Sequence, residues 1–507
     1  MKNLKITAFI FIIVIVSFSA LFLLSCDGAE SGGVDAQNPA DLPNTNTEPV
    51  PGDEEKPEAA ADPRPDIPEG DFGGREITIG VATETLWGYD TVCPETETGE
   101  PVFDATYRRN KIIEERYNVK LKQLDMNYTN VEKTIKNSVL AQDKMFDFAF
   151  PRMYQAITLA ADGFLYDLNT LPYVNSSNIW WDSTIVRDCS IAGKAFFLAG
   201  DINMYAYDGT LVLYFNKVMH ASYQLENLYQ LVSDGKWTID KFDEVMRAAA
   251  ADLNGDGVID FDDQFGVFTW DHITAALLTS CNSNIFEKVS ENEIVFNMNS
   301  PKFSDVISKI NHLMNEGDAV FNGYNTSKWK TPSSEWGYAA KLFTEDRALF
   351  MCEVVDITRR YRYMESDFGI LPFPKYDESQ KEYYSLVSAD VLAVSVPFSM
   401  PEPDAVMVGS LIEDMAYEGR AYILPAYYDI TLLRKNTRDE ESAAMLDIIF
   451  RQRKYAVDMT YNFETMLNKI YTMVNQNKNE VSSLYEKNAE RVQKAIDKLF
   501  DKYRDME

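Results

Sequence analysis

The chain has 507 residues, with 48 Lys plus Arg against 79 Asp plus Glu and a formal net charge of −31. That acidity excludes a nucleic-acid binder, because nothing here neutralises a run of phosphates, while 46% hydrophobic and 13% aromatic residues exclude wholesale disorder. Three His and five Cys with no CxxC exclude a His-rich catalytic metal site, a zinc ribbon and a disulfide scaffold. At roughly 100–200 residues per domain, the length predicts two to four domains or lobes.

The N-terminus carries Lys2 and Lys5, then an unbroken apolar run from Ile6 to Leu24, which is the n-region and h-region of an export signal. The run ends Leu23-Leu24-Ser25-Cys26. This resembles the lipobox of bacterial lipoproteins, in which the cysteine, here Cys26, is lipidated and becomes the new N-terminus. Residues 1–26 are then the signal peptide. A plain membrane-spanning anchor is the alternative, since a run of this length is long enough to cross a bilayer. Either way the body lies outside the cytoplasm, tethered to a membrane. Residues 27–74 hold eight of the 20 Pro, and 13 acids against two basic residues. With no apolar face to bury, they are expected to be a disordered acidic linker. The body from residue 75 onward still carries a net −22.

The body opens with a strand at 76–81, a helix at 104–117 with Ala105, Ile112, Ile113 and Tyr117 on one face, and an alternating strand from Val119. A helix at 130–141 and a buried strand at 146–150 complete a β-α-β-α-β order, which implies a parallel sheet with helices packed on it. A strand at 211–215 and helices at 239–250, with Thr238 as N-cap, and at about 302–316 follow. Further strands are expected at 348–352, 368–372 and 391–396, and residues 439–507 read as mostly helical.

Between the helix at 239–250 and the strand from Gln264 lies Asp252-Leu-Asn-Gly-Asp-Gly-Val-Ile-Asp-Phe-Asp-Asp263. It fits a twelve-residue EF-hand loop. Asp252, Asn254 and Asp256 take positions 1, 3 and 5, and Gly257 takes the sharp turn at position 6. Val258 offers its carbonyl, Ile259 docks on the core, and Asp260 and Asp263 take positions 9 and 12. Only oxygen donors converge, which suits Ca2+ in a structural role. Asp rather than Glu at position 12, and a strand rather than an exiting helix after it, predict a lone, weaker loop and not a paired sensor hand. A solvated Asp/Asn/Gly turn is the alternative.

A set of motifs in fixed order carries a family resemblance: Gly163–Leu168, Ala199–Ile202, Leu213–Lys217 leading to Lys236-Trp237-Thr-Ile-Asp-Lys-Phe242, Phe343–Phe350, Gly369–Lys375 and Leu433–Ser442. Across most of residues 75–455 it resembles the extracellular solute-binding proteins of sugar ABC transporters, family 1. The resemblance implies an α/β fold of two periplasmic-binding-protein-like lobes (type II). It implies parallel-rich sheets with flanking helices, a hinge of several crossings, and ligand in the cleft between lobes. It places lobe 1 at 75–203 and 357–425, and lobe 2 at 204–356 and 426–507.

Sugar binding needs flat aromatic rings against the apolar face of a pyranose, and carboxylates or amides for its hydroxyls. Candidates at loops expected to face the cleft are Arg152 and Tyr154 after the 146–150 strand, where an α/β sheet presents its carboxyl-end crevice. To these are added Asp201, Tyr205, Trp270, Asp271, Trp336, Glu353, Asp356, Tyr427 and Tyr428. Trp237 resembles the family's packing Trp; Trp87, Trp180 and Trp181 are open. No GxSxG, HExxH, P-loop or dinucleotide motif is present, and His220, His272 and His312 read as surface or packing residues.

The implied protein is not an enzyme. It is a monomeric lipoprotein on the outer face of the cell membrane that captures a carbohydrate, expected to be an oligosaccharide, and delivers it to ABC permease subunits. A peptide or polyol carrier, a glycan-acting surface enzyme and a glycan-binding adhesin are the alternatives. Whether Cys93, Cys189, Cys281 and Cys352 form zero, one or two disulfides stays open.

Overall fold

A computed structural model describes residues 64–83, 91–325, 328–329, 340–361, 364–428 and 439–506. Cys26, the signal peptide, most of the linker, Trp87 and Trp336 lie outside the described residues. The linker expectation needs correction at its end. Arg64 donates to Asp414 (Nη2–Oδ2 3.1 Å), Ile67 is buried, and Phe72 stacks on Tyr117 with centroids 5.9 Å apart. Two apolar side chains in an otherwise polar stretch are enough to dock it, so the packed chain begins before residue 75.

The first body is built on β1 (Arg75–Thr83), β2 (Val119–Asn127) and β3 (Phe148–Phe150), in the order β2-β1-β3 and all parallel. β1 is central and buries Ile77, Ile79 and Val81 completely, as a strand covered on both faces must. The helix Pro101–Tyr117 starts at Glu100, whose carboxylate accepts from Val102 and Phe103 N–H, with Pro101 in the first turn. Residues 391–396 pair only through single bridges, Arg152 to Leu392, Leu198 to Val394 and Ala149 to Ser395, so they extend this sheet without forming a continuous strand.

The second body holds β4 (Leu211–Asn216), β5 (Phe265–Thr269), β6 (Val320–Asn322), β7 (Ala348–Val354) and β8 (Phe368–Leu371), in the order β8-β4-β7-β5-β6. β5 is parallel to β6 and β7, while β4 is antiparallel to β7 and β8. β4, β5 and β7 are buried throughout, which explains their unbroken apolar runs. The resemblance assigns 357–425 to the first lobe, yet β8 hydrogen-bonds to β4 and keeps its apolar Phe368 and Ile370 under this sheet. The chain turns back towards the first body later, at the Thr210–Val387 bridge.

Trp237 packs as expected: it is fully buried, donates to Pro372 O at 3.0 Å and touches Phe242 and Phe350. Trp180 and Trp181 are structural too, both indoles donating to Glu413 at 3.0 and 2.8 Å. All four described cysteines are free. His312 is a surface residue between Asp243 and Glu316. Among the described residues no helix is long and apolar enough to cross a membrane.

Candidate functional site

β5, β6 and β7 run parallel, so their carboxyl ends emerge on one side of the sheet, and the residues just beyond them meet there. β5 delivers Trp270 and Asp271, β6 delivers Asn322, Gly323 and Tyr324, and β7 ends in Glu353 and Val354. The Trp270 indole donates to Glu353 Oε1 at 3.0 Å, and its ring lies 4.8 Å from that of Tyr324. Gly323 permits this contact: a Cβ there would come within 2.2 Å of the indole carbons. Asp271 Oδ1 accepts from Asn322 at 2.7 Å and from Asn475 at 2.9 Å. Trp270 is only 6% exposed, whereas Tyr324 is 64% exposed and is the open aromatic face of the group.

From the first body come Tyr128 after β2, Arg152 after β3, and Asp390. The Arg152 guanidinium lies over the Tyr128 ring, 4.2 Å from its centroid, and donates to Asp390 Oδ1 at 3.1 Å. Tyr154 stands partly exposed beside them. The Tyr324 phenol is raised above its ordinary value by partial burial, then by the charges of Glu353, Asp271 and Asp390.

A second cluster forms where the chain passes between the bodies. Asp208 accepts from Tyr427 Oη at 2.7 Å and faces Arg359, which also pairs with Asp356. Burial raises the Asp208 carboxyl, with Arg359 and then Tyr427 opposing.

Of the residues anticipated from sequence, Trp270, Asp271 and Glu353 come together beyond the parallel strands of the second body, while Arg152 pairs with Asp390 beyond β3, with Tyr154 two residues on; Asp356 and Tyr427 meet through Asp208 and Arg359. Asp201 and Tyr205 are almost wholly buried, Asp201 accepting from Arg420 at 3.0 Å. Tyr428 bonds Asp447 and lines a different cavity of about 470 Å³ with Tyr207, Leu424 and Phe450. Sequence reasoning missed Tyr128, Asp208, Tyr324, Arg359, Asp390 and Asn475. An aromatic directly beyond a short buried strand was the available signal for Tyr324; Asn475 had none.

Five carboxylates of the body are shifted upward with burial as the largest cause: Asp147, Glu413, Asp208, Asp201 (to about 6) and Asp458 (to about 6). A raised folded-state value means the stabilisation is full below the ordinary 3.8 and is lost as pH rises through about 6. The melting temperature is therefore expected to be higher at about pH 5 than at about pH 7.5. Asp458→Asn should flatten part of that slope; a melt that rises steadily from acid to neutral pH contradicts the assignment.

The acidic loop closes on its own backbone amides. Gly255 and Gly257 sit at φ +74° and +80°, the left-handed region that glycine tolerates. Asp252 accepts from Gly255 and Gly257 N–H at 2.6 and 2.8 Å, and Asn254 and Asp256 each accept from the N–H two residues on. Asp263 is fully buried and accepts from Leu253 and Asp260 N–H. Among the described residues no group of three or more His, Cys, Asp or Glu is gathered to hold a metal. The carboxylates instead cap the loop's own amides, and the donors remain all-oxygen, fitting a hard cation by chemistry.

No family model matches the sequence, and no curated protein matches it. Solved structures do. The chain is similar to a cyclic α-maltosyl-1,6-maltose binding protein from Arthrobacter globiformis, with TM-score 0.53, 11% identity, and 85% of this chain and 98% of that one covered. It is similar to the ABC substrate-binding protein Lmo0181 from Listeria monocytogenes, solved with cycloalternan, with TM-score 0.51, 10% identity, and coverage of 84% and 98%. It is also similar to UgpB from Mycobacterium tuberculosis, solved with glycerophosphocholine, with TM-score 0.54, 11% identity, and coverage of 84% and 98%. Across most of its length, this chain has the two-lobed α/β fold of the substrate-binding proteins of ABC transporters.

Proposed function

We propose that the protein is a lipid-anchored, extracytoplasmic solute-binding protein that captures a carbohydrate between its lobes and delivers it to an ABC permease. The observation that carries this reading is the pair of polar and aromatic groups, one on each body. The open Tyr324 ring, backed by Trp270 and Glu353, stands at the carboxyl ends of the parallel strands of the second body, and Arg152 with Asp390 forms a polar group beyond β3 of the first. A pyranose presents an apolar face to such a ring and hydroxyl donors to such carboxylates. Ligand touching both groups favours the closed arrangement of lobes. Similar structures solved with cycloalternan or named for a cyclic maltosyl-maltose support the class of ligand.

Within the described cleft Asp271, Glu353 and Asp390 outnumber Arg152. The cleft therefore suits a neutral oligosaccharide better than a phosphorylated or uronic one, whose charge those carboxylates repel. Titration calorimetry with neutral and anionic oligosaccharides tests this. Saturable binding of neutral members without turnover is expected; product release, or preference for the anionic members, overturns it. The strand pairings support one lobe of 64–203 with 389–423 and another of 211–386 with 440–451. Cys26 is the proposed lipid attachment point on the outer face of the cell membrane, and a monomer is proposed.

Calcium is proposed for the loop Asp252–Asp263, held by Asp252, Asn254, Asp256, the Val258 carbonyl, Asp260 and Asp263 after their side chains turn from the loop amides to the ion. Millimolar Ca2+ is expected to raise the melting temperature by a few degrees over EGTA, since only the folded loop binds it. Superimposable melts dispose of the proposal.

A further inference from the structure

A feature of the C-terminal segment is independent of what the cleft binds. After the helix Glu440–Arg451, which packs on the second body, the chain does not stay there. Arg453 and Lys454 pair with Ser385 and Leu386, and Tyr455 N–H donates to Asp188 of the first body at 3.0 Å. Tyr461 donates to Cys189 O at 2.6 Å. The helix Met466–Asn475 then returns to the second body, where Asn475 reaches Asp271.

The last helix, Val481–Asp505, spans both. Its first half packs on the second body, where Tyr485 stacks on Phe296 at 5.0 Å. Its last turns lie on the first body. Tyr503 is 1% exposed and meets Phe196 edge to face at 5.0 Å. Lys502 donates to Ala161 O at 3.0 Å, and Lys194 reaches back to Met506 O. A hairpin of the second body, Phe286–Ser290 with Glu293–Phe296, joins the same flank: Lys288 donates to Arg187 O at 2.8 Å, and Ala192 N–H donates to Glu291 O at 2.8 Å.

A two-lobed protein opens by rotating one body against the other about its hinge strands. Contacts that bridge the bodies away from the hinge must break, or bend, for that rotation to occur. We propose that residues 453–506 form a strut, a second and non-covalent tie between the bodies. Docking of its last turn, through Tyr503, Lys502 and Met506, sets how far the cleft opens. The arrangement of the two bodies described above is thereby stabilised before any ligand binds, and the strut's contacts are lost in proportion to opening away from it.

Pulsed electron paramagnetic resonance tests this on the full chain, in a Cys26→Ser/Cys93→Ser background. Spin labels go at Asn137→Cys, exposed on a helix of the first body, and at Ala248→Cys, exposed at the end of a helix of the second. No ligand is needed. The parent is expected to give one narrow distance distribution. Tyr503→Ala should shift it to longer distances and broaden it, and the surface pair Lys194→Ala/Lys502→Ala should do the same to a lesser extent. Circular dichroism and a cooperative melt establish that each variant is folded. If Tyr503→Ala does not melt cooperatively, the lysine pair decides. A shift in a folded variant supports the strut; distributions superimposable on the parent's in the folded variants overturn it.

Discussion

Replacing Asp182 with Ala is expected to cost about 3–5 kcal/mol of folding stability, because it strands a buried cation. The Arg453 guanidinium donates to Asp182 Oδ2 at 2.9 Å, and the two side chains are 9% and 4% exposed. Arg453 also lies over the Tyr207 ring at 4.2 Å, and Tyr455 donates to the same Asp182 oxygen at 3.0 Å. Burial works against the guanidinium charge, but Asp182, then Tyr207 and Tyr455, more than offset it and hold the group firmly protonated. Asp182 Oδ1 meanwhile caps the helix Ser183–Cys189 through Thr184 N–H at 3.0 Å. Chemical denaturation measures the loss; a change under about 1 kcal/mol, the size of an exposed ion pair, contradicts this account. Replacing both partners, Asp182→Leu with Arg453→Met, should recover part of the deficit, since no charge is then left unpaired.

The second large effect is on binding. Glu353→Ala should weaken carbohydrate affinity about 10–100-fold, corresponding to the roughly 1.5–3 kcal/mol carried by hydrogen bonds to a charged group. Glu353 Oε1 anchors the Trp270 indole, and Oε2 accepts from its own neighbour Val354 N–H at 3.2 Å. Without it the indole is free to swing, and Tyr324, which leans on that indole, loses its backing. Calorimetry on the variant, with a melt close to the parent's to confirm folding, makes the comparison. An unchanged Kd places the ligand elsewhere.

The body's strands and helices were readable because they follow simple periods. β4 reads as an apolar run, and the helix at 301–315 is marked by a serine cap and a proline in its first turn. Residues 391–396 read equally well as a strand and are not one, because single bridges to 149, 152 and 198 replace a ladder. Pairing partners, and hence body membership, are long-range facts: nothing in Phe368–Leu371 announces that β4 will take it. The cleft was legible wherever a candidate directly follows a predicted strand, as Arg152, Trp270 and Glu353 do. It was illegible where a residue arrives from afar, like Asn475 on Asp271, and faint beyond a three-residue strand, where the aromatic character of Tyr324 was the one signal. Asp201 misled because sequence position near a crossing does not say which way a carboxylate points; Arg420 draws it inward.

The Asn475–Asp271 bond joins residues 204 positions apart. A ribosome makes the chain from its N-terminus at about 5–20 residues per second, so Asp271 precedes its partner by roughly 10–40 s. By about the middle of that interval the five strands of the second body are made, and until Asn475 arrives the cleft carboxylate has Asn322 as its side-chain partner. The finished pocket is thus the last product of synthesis, and a nascent or C-terminally clipped chain would possess the sheets without a complete recognition surface.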